Sequence, residues 1–327
     1  RMGSGSEQFR GPIKLAATLD PKPWGGRALE RFGFELPGDV PVGEALLTGS
    51  AARVIEGPLA GSTLGELVEA DSLWLCGERG LAATGGLAFF PLLTKLIDAH
   101  DVLSVQVHPD DDAARPLGGV GKTEAWHVLA SEPGSVLYVG LRDPADFAEL
   151  ARRSRAGERT GDLLRAHAAQ PGETLLIPAG TIHAIGGGLL IYEIQQPSGI
   201  TYRFDDWSRV GSDGQPRELH IEVSLAVAKP DLQPQPIAPI VTAPGRTLLV
   251  THRYFSLERI ELESEVMASI EHPGSPAVIT LLEGSGEIEA AGVTLAISAG
   301  ETVIIPPGDL PATLRSATGL AALHAWV

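Results

Sequence analysis

A single cysteine, Cys76, stands in the 327 residues of this chain. Neither an intrachain disulfide framework nor a multi-cysteine zinc site can form, and Cys76 reads as a small apolar core residue. Basic residues are also scarce, with 25 Lys and Arg against 41 Asp and Glu, for a formal net charge of −16. Phosphate backbones need a clustered Lys/Arg surface, so no nucleic-acid partner is expected. A small anionic substrate stays compatible, because one phosphate needs only a few local cations and backbone N–H groups. No apolar run approaches the ~20 residues that cross a bilayer, and no apolar N-terminal stretch marks a secretory signal. The expectation is a cytoplasmic protein without a membrane partner. The opening RMGSGSE resembles a tag remnant and carries no weight.

Turn formers are plentiful, with 39 Gly and 25 Pro. They predict a mainly β chain of short strands rather than long helices. Thr63 and Glu66 have the spacing of a capping box for a short helix over GELVEAD. Asp143 and Pro144 suit the N-cap and N1 positions of a helical insertion near 143–169, with Phe147, Leu150, Leu163 and Leu164 at roughly helical spacing. GETLLIPAG, GGLLIYEIQQ and ITYRFDDW read as strands, and so does VLSVQVHP after a turn at His100 and Asp101. The Pro-rich segment 229–244 reads as a linker, since its prolines cannot join a central ladder.

An internal repeat organises the chain. PGETLLIPAGTIHAI (171–185) and AGETVIIPPGDLPAT (299–313) align without a gap. One supersecondary unit is used twice. A turn, a buried strand and Pro-x-Gly before a polar position are features of the small jelly-roll barrels called cupins. The predicted fold is therefore two cupin β-barrel domains, 9–230 carrying the helical insertion and 231–327 beginning within the linker. His183 in the first copy aligns with Pro311 in the second, so the C-terminal barrel is expected to lack the metal site.

Gln106 and His108 lie two apart in a strand-like run, and Lys122 and Glu124 repeat that arrangement in GKTEAW, so each pair shares a face. With the GET strand across the barrel, His183 would close a set of Gln106, His108, Glu124 and His183. Two imidazoles, a carboxylate and an amide oxygen suit Zn²⁺ or a similar divalent ion and leave positions for water or substrate. By strand alternation His127 falls on the face opposite Glu124, and His100 sits in a turn; both read as structural.

Four segments, LLTKLIDAHDVLSVQVHPDD (92–111), GKTEAWHVL (121–129), IPAGTIHAIGGGLLIYEIQQ (177–196) and TYRFDDWSR (201–209), resemble the short bacterial type I mannose-6-phosphate isomerases in order and spacing. The resemblance covers most of 24–207 and implies a zinc cupin, one ion per chain, that interconverts mannose 6-phosphate and fructose 6-phosphate. It places the metal on Gln106, His108, Glu124 and His183. It singles out Lys122, Glu193 and Arg203 as active-site groups and Lys95 and Ser104 as phosphate contacts. The chain departs from the family pattern in a shorter loop between His108 and Glu124 and in Asp-Asp-Trp closing the Arg203 motif. Aldose–ketose isomerisation needs an acid/base and stabilisation of charge on an enediolate, which Glu193, Lys122, Arg203 and the ion together provide. Two alternatives share the fold: a non-enzymatic cupin that binds a sugar phosphate, and a metal-dependent cupin dioxygenase, which would leave the Gln–Lys–Arg set unused.

Overall fold

A computed structural model describes residues 9–210, 214–308 and 311–327. The tag-like residues 1–7 lie outside this range, as do Asp309 and Leu310 of the second repeat copy. The chain is mainly β, in three antiparallel sheets. The six-stranded sheet runs in the order Thr174–Ile177, Glu124–Ser131, Leu189–Gln195, Leu93–Ala99, Val42–Leu46 and Thr18–Gly26. The five-stranded sheet runs Tyr202–Asp205, Val105–Val107, His183–Ile185, Val136–Leu141 and Leu164–Ala168. Eleven strands, most of them after residue 240, form the third.

The first two sheets close over one core. Ile97, Trp126, Val128, Leu175, Ile177 and Ile191 from the six-stranded sheet pack with Leu137, Val139 and Ile185 from the five-stranded one. Alternation sends the intervening residues Leu96, Ala125, Tyr192 and Ile194 to the other face of the six-stranded sheet. There they meet Leu15, Leu257, Val278 and Leu323 of the third sheet. Leu189–Gln195 is thus buried on both faces at every position, which explains why it reads as a continuous apolar run with one carboxylate, Glu193, inside it. A separate apolar cluster, with Ile279, Ile288, Ile305 and Leu314, fills the interior of the third sheet.

Both copies of the repeat form the same unit. Gly172 and Gly300 adopt φ of 89° and 85°, a left-handed conformation that favours glycine, and each leads into a short buried strand, Thr174–Ile177 or Thr302–Ile305. The free edges of the two strands are covered reciprocally. Thr302–Ile305 receives Ile13–Ala16 from the N-terminus, while Ile237 N–H donates to Thr174 O at 2.8 Å from the Pro-rich segment.

Local signals hold with three adjustments. The capping box is present, with Glu66 N donating to Thr63 Oγ1 at 3.2 Å and Thr63 N to Glu66 Oε2 at 2.7 Å, ahead of the helix Leu64–Ala70. Asp143 caps a short 3-10 turn that runs into the helix Phe147–Ala156. The helical insertion stops sooner than predicted: Gly157 ends the helix and Leu164–Ala168 is a strand, so Leu164 belongs to a sheet. The Pro-rich segment is not wholly a linker, because Ile240–Ala243 forms the outermost strand of the third sheet, the edge position where flanking prolines are tolerated. The set is also closed differently. The GET strand does not cross the barrel to bring His183 in; it pairs beside Glu124, and His183 starts a strand of its own. Among the described residues no helix is long and apolar enough to cross a membrane.

Candidate active site

The site lies where the two N-terminal sheets face one another. His183 and Gln106 are direct cross-strand partners in the five-stranded sheet, and His108 follows the same strand as Gln106 one residue past its end. Glu124 opens the facing strand Glu124–Ser131, with Lys122 two residues before it. Glu193 pairs across its sheet with Lys95 on one side and Trp126 on the other, so inward-facing residues of three adjacent strands converge.

His108, Glu124 and His183 bring one ligand atom each to within 4.8 Å of the others, and all three are buried. Nδ1 of His108 lies 3.0 Å from Ile200 O and Nδ1 of His183 lies 2.9 Å from Thr181 O. A carbonyl only accepts, so in both rings Nδ1 carries the proton and Nε2 presents a lone pair. Those Nε2 atoms stand 3.5 and 3.4 Å from the two oxygens of Glu124. Burial pushes the His183 imidazole down to about 4, with Lys122 adding to the effect against the Thr181 carbonyl. Burial likewise holds His108 well below the ordinary range, helped by Lys122 and His183. Both rings are therefore neutral near pH 7, the form that coordinates a metal.

This cluster fits a divalent cation. Neither oxygen of Glu124 receives a hydrogen bond although the residue is 1% exposed, and a buried carboxylate in that state calls for a cation. Lys122 Nζ supplies part of the charge, 3.2 Å from Glu124 Oε2 and 3.1 Å from His108 Nε2. Gln106 Nε2 lies 3.3 Å from His183 Nε2, and Ser104 Oγ donates to Gln106 Oε1 at 3.1 Å. Turning that amide about its last bond would aim its oxygen at the cluster and its NH₂ at Ser104.

Above the cluster opens a cavity of about 460 Å³ lined by Lys95, Ser104, Gln106, Lys122, Glu193 and Arg203, among others. Glu193 is 3% exposed. Its Oε2 accepts from Trp126 Nε1 at 3.0 Å, and its Oε1 lies 3.3 Å from Lys95 Nζ. Its ionic partner is thus Lys95; no ion pair joins it to Arg203. Lys95 also meets Glu44 Oε1 at 3.4 Å. Burial alone would push this ammonium down, but Glu193, Glu44 and Glu124 outweigh it and hold it above the usual lysine range. Arg203 is half-buried, and among the described residues no carboxylate lies within ion-pair distance of it. Burial and the neighbouring Arg217 both disfavour its charge.

His127 points away from the cluster and meets Thr174 Oγ1 at 2.9 Å, as alternation predicts. Reading by sequence missed Arg217, His220, Lys22 and Trp24, which also line the cavity. Trp24 comes from the far edge strand of the six-stranded sheet, and Arg217 and His220 from an irregular stretch before the helix Ile221–Val227; none sits in a periodic pattern that would single it out. At Pro311, the counterpart of His183, the side chain is exposed, and among the described residues the His108–Glu124–His183 group is the one cluster that could hold a metal.

Two β-sheets closed over a buried His–Glu–His cluster, beneath a polar cavity, define a cupin-like protein with a candidate metal centre. The model for the phosphomannose isomerase type I catalytic domain matches residues 13–124. A probable mannose-6-phosphate isomerase of Bacillus subtilis is 33% identical over 305 residues, covering 90% of this chain and 93% of its own length. The crystal structure of a mannose 6-phosphate isomerase from Bacillus subtilis superposes with a TM-score of 0.81 at 30% identity, covering 97% and 99% of the two chains. A zinc-bound mannose 6-phosphate isomerase shares the fold at 18% identity, with a TM-score of 0.72 and coverage of 96% and 99%. The chain belongs to the type I phosphomannose isomerase family.

Proposed function

We propose that this chain interconverts mannose 6-phosphate and fructose 6-phosphate, in the N-terminal of two cupin units, 9–230 and 231–327, the second of which carries no metal. The observation that carries the reading is a buried His108–Glu124–His183 cluster joined through Lys122 and Gln106 to a cavity that Glu193 and Arg203 also line, in a chain of this family. His108, Glu124, His183 and Gln106 would hold one Zn²⁺ per chain, with other divalent ions able to substitute. When bound, the ion supplies Lewis-acid stabilisation of negative charge on substrate oxygen.

The protein's own groups then account for the rest of the reaction. Glu193 sits on a rigid central strand with one oxygen fixed by Trp126. It removes the proton from C2 of the open-chain aldose, the electron pair forms the C1–C2 double bond, and O1 takes up a proton. Return of the proton to C1 while O2 loses its own gives the ketose. Lys122 and Arg203 face the oxygens on which charge develops, and the planar fork of Arg203 grips two at once. Lys95 and Ser104 are proposed phosphate contacts at the cavity wall. Lys95 is already shared by two carboxylates and Ser104 by the Gln106 amide, so Arg203, which among the described residues has no carboxylate within ion-pair distance, is the cation most open to an incoming anion. Such a metabolic enzyme belongs in the cytoplasm.

The test is incubation of the purified protein with mannose 6-phosphate and detection of fructose 6-phosphate, before and after chelation and again after adding zinc. Interconversion that disappears with chelator and returns with zinc supports the reading. A zinc-loaded protein that binds the sugar phosphate without converting it would leave a binding protein instead.

A further inference from the structure

Lys122 lies in an irregular segment, 118–123, that leads into the strand Glu124–Ser131, where Glu124 is already paired with Ile177 and Gln195. Lys122 N donates to Pro109 O at 3.0 Å and Ala179 N to Thr123 Oγ1 at 3.2 Å. One carboxylate does much of the holding. Asp111 Oδ1 accepts from Gly121 N at 2.8 Å and from Gln196 Nε2 at 2.9 Å. Gln196 Oε1 in turn accepts from Thr123 N at 2.9 Å, and Gln196 N donates to Thr123 O at 3.1 Å. The two backbone amides flanking Lys122 are thus tied, one directly and one through Gln196, to the same side chain. The approach is close: a Cβ on Gly121 would stand 2.7 Å from Asp110 C and Asp111 N, so only glycine fits.

The other oxygen of Asp111 is claimed from outside the N-terminal sheets. Tyr254 OH donates to Asp111 Oδ2, and Arg253 Nη2 lies 3.6 Å from it. Both belong to the turn between Arg246–His252 and Phe255–Leu262 in the eleven-stranded sheet. Tyr254 is 7% exposed, fixed against a core that includes Leu249, Phe255 and Val327.

We propose that Asp111 is a positioning residue for the active site, and that Tyr254, from the part of the chain without a metal cluster, holds it in place. Asp111 touches neither the active-site cavity nor the cluster; it ties the backbone on either side of Lys122 just ahead of Glu124, and both of those side chains reach His108. The inference rests on the proposed roles of those two residues. It gives the C-terminal unit a task in the reaction beyond packing.

The test compares Asp111→Ala, Asp111→Asn and Tyr254→Phe in the full chain. Zinc affinity is measured by competition with a chromophoric chelator, and kcat and KM with mannose 6-phosphate. Partners that orient ligands from behind typically contribute ~10–100-fold in metal affinity or activity. Asp111→Ala should weaken zinc binding by about that factor and lower kcat with KM changed less than about threefold. Asp111→Asn should recover most of the loss, because its oxygen still accepts from Gly121 and Gln196 while its NH₂ can donate to the Tyr254 oxygen. Tyr254→Phe, which removes one hydroxyl and keeps the packing, should lie between them and stands in if Asp111→Ala fails to fold. Folded Asp111→Ala or Tyr254→Phe protein with wild-type zinc affinity and kcat overturns the inference. A wild-type protein without isomerase activity would refute the proposed function, yet the ordering of zinc affinities would still decide the positioning role.

Discussion

His183 and His127 are both buried, but the first faces the candidate metal cluster and the second faces away from it, and replacing each by alanine should produce opposite failures. His183 is 1% exposed, with Nδ1 fixed by Thr181 O and Nε2 3.4 Å from Glu124 Oε1. His127 is 2% exposed and bonded to Thr174 Oγ1 on the opposite face of its strand. Zinc held by four protein ligands is bound by ~10–16 kcal/mol, so an even share among four ligands is about 3 kcal/mol, or roughly two powers of ten in Kd. His183→Ala should therefore lose its zinc on dialysis and its activity with it. His127→Ala removes no ligand. It leaves the Thr174 hydroxyl without its partner and opens a void, costing about 1–3 kcal/mol of stability from the polar group alone. The assay is metal per chain after dialysis against metal-free buffer, set beside the denaturation midpoint of each variant. If both variants lost zinc equally, or neither lost it, the assignment of His183 as a ligand would be wrong.

Four further outcomes follow from the same geometry. Glu193→Gln keeps the shape but cannot take a proton, so kcat should fall by ~10²–10⁴-fold with zinc content unchanged, and deuterium from D₂O, expected at C1 of the fructose 6-phosphate made by the wild type, should diminish in step; wild-type turnover with undiminished exchange would remove Glu193 as the base. Arg203→Lys should lower the rate less than Arg203→Ala, because the charge survives while the fork is lost; equal rates in the two variants would show that charge at this position is irrelevant. Lys95→Met leaves Glu193 and Glu44 facing each other without their shared cation, and should destabilise the fold by about 3 kcal/mol in denaturant titration. Burial pushes the His127 imidazole down to about 4 against about 6.5 in an unfolded chain, so between these values the unfolded state binds more protons and stability falls as pH falls; from pH 7 to 5 this one group should cost about 2 kcal/mol, a slope that His127→Gln should remove.

The parts of this site that were legible in the sequence are those written in short-range spacing. Gln106 with His108 and Lys122 with Glu124 are two apart, a spacing read as a shared strand face. In the structure Gln106 and Glu124 are strand residues, while His108 follows the end of its strand and Lys122 precedes the start of its own, and the side chains still meet. His183 was marked by the repeat, where its counterpart is Pro311. The Thr63–Glu66 box is local, so it could be read without knowing the fold. Strand pairing was not legible in the same way. Nothing in the text near Thr174 says that its strand lies beside Glu124 rather than opposite it, because antiparallel partners are chosen by long-range closure of the barrel. The same limit hid the partner of Glu193. Arg203 is near it in sequence, but Lys95 is its neighbour in the sheet, 98 residues away along the chain and one strand over.

The Asp111–Tyr254 contact is the extreme of that limit, and it bears on why the second unit is present at all. Its two residues are separated by 143 positions, and each has an ordinary local reading: an acidic residue in the first turn of a short helix, and a tyrosine at a tight turn. Only the pairing gives them a role. The central strands of the six-stranded sheet are buried on both faces, with the candidate metal cluster on one and the third sheet on the other. Packing on the outer face therefore sustains the strands that carry Lys95, Glu124 and Glu193. The 118–123 segment precedes the strand itself, and around Lys122 its backbone bonds run to Pro109, Gln196 and Asp111. The turn bearing Tyr254 meets Asp111 there. On that proposal, the part of the chain in which Pro311 stands opposite His183 in the repeat would serve the site by backing its strands and through one hydroxyl aimed at the residue that ties its loop.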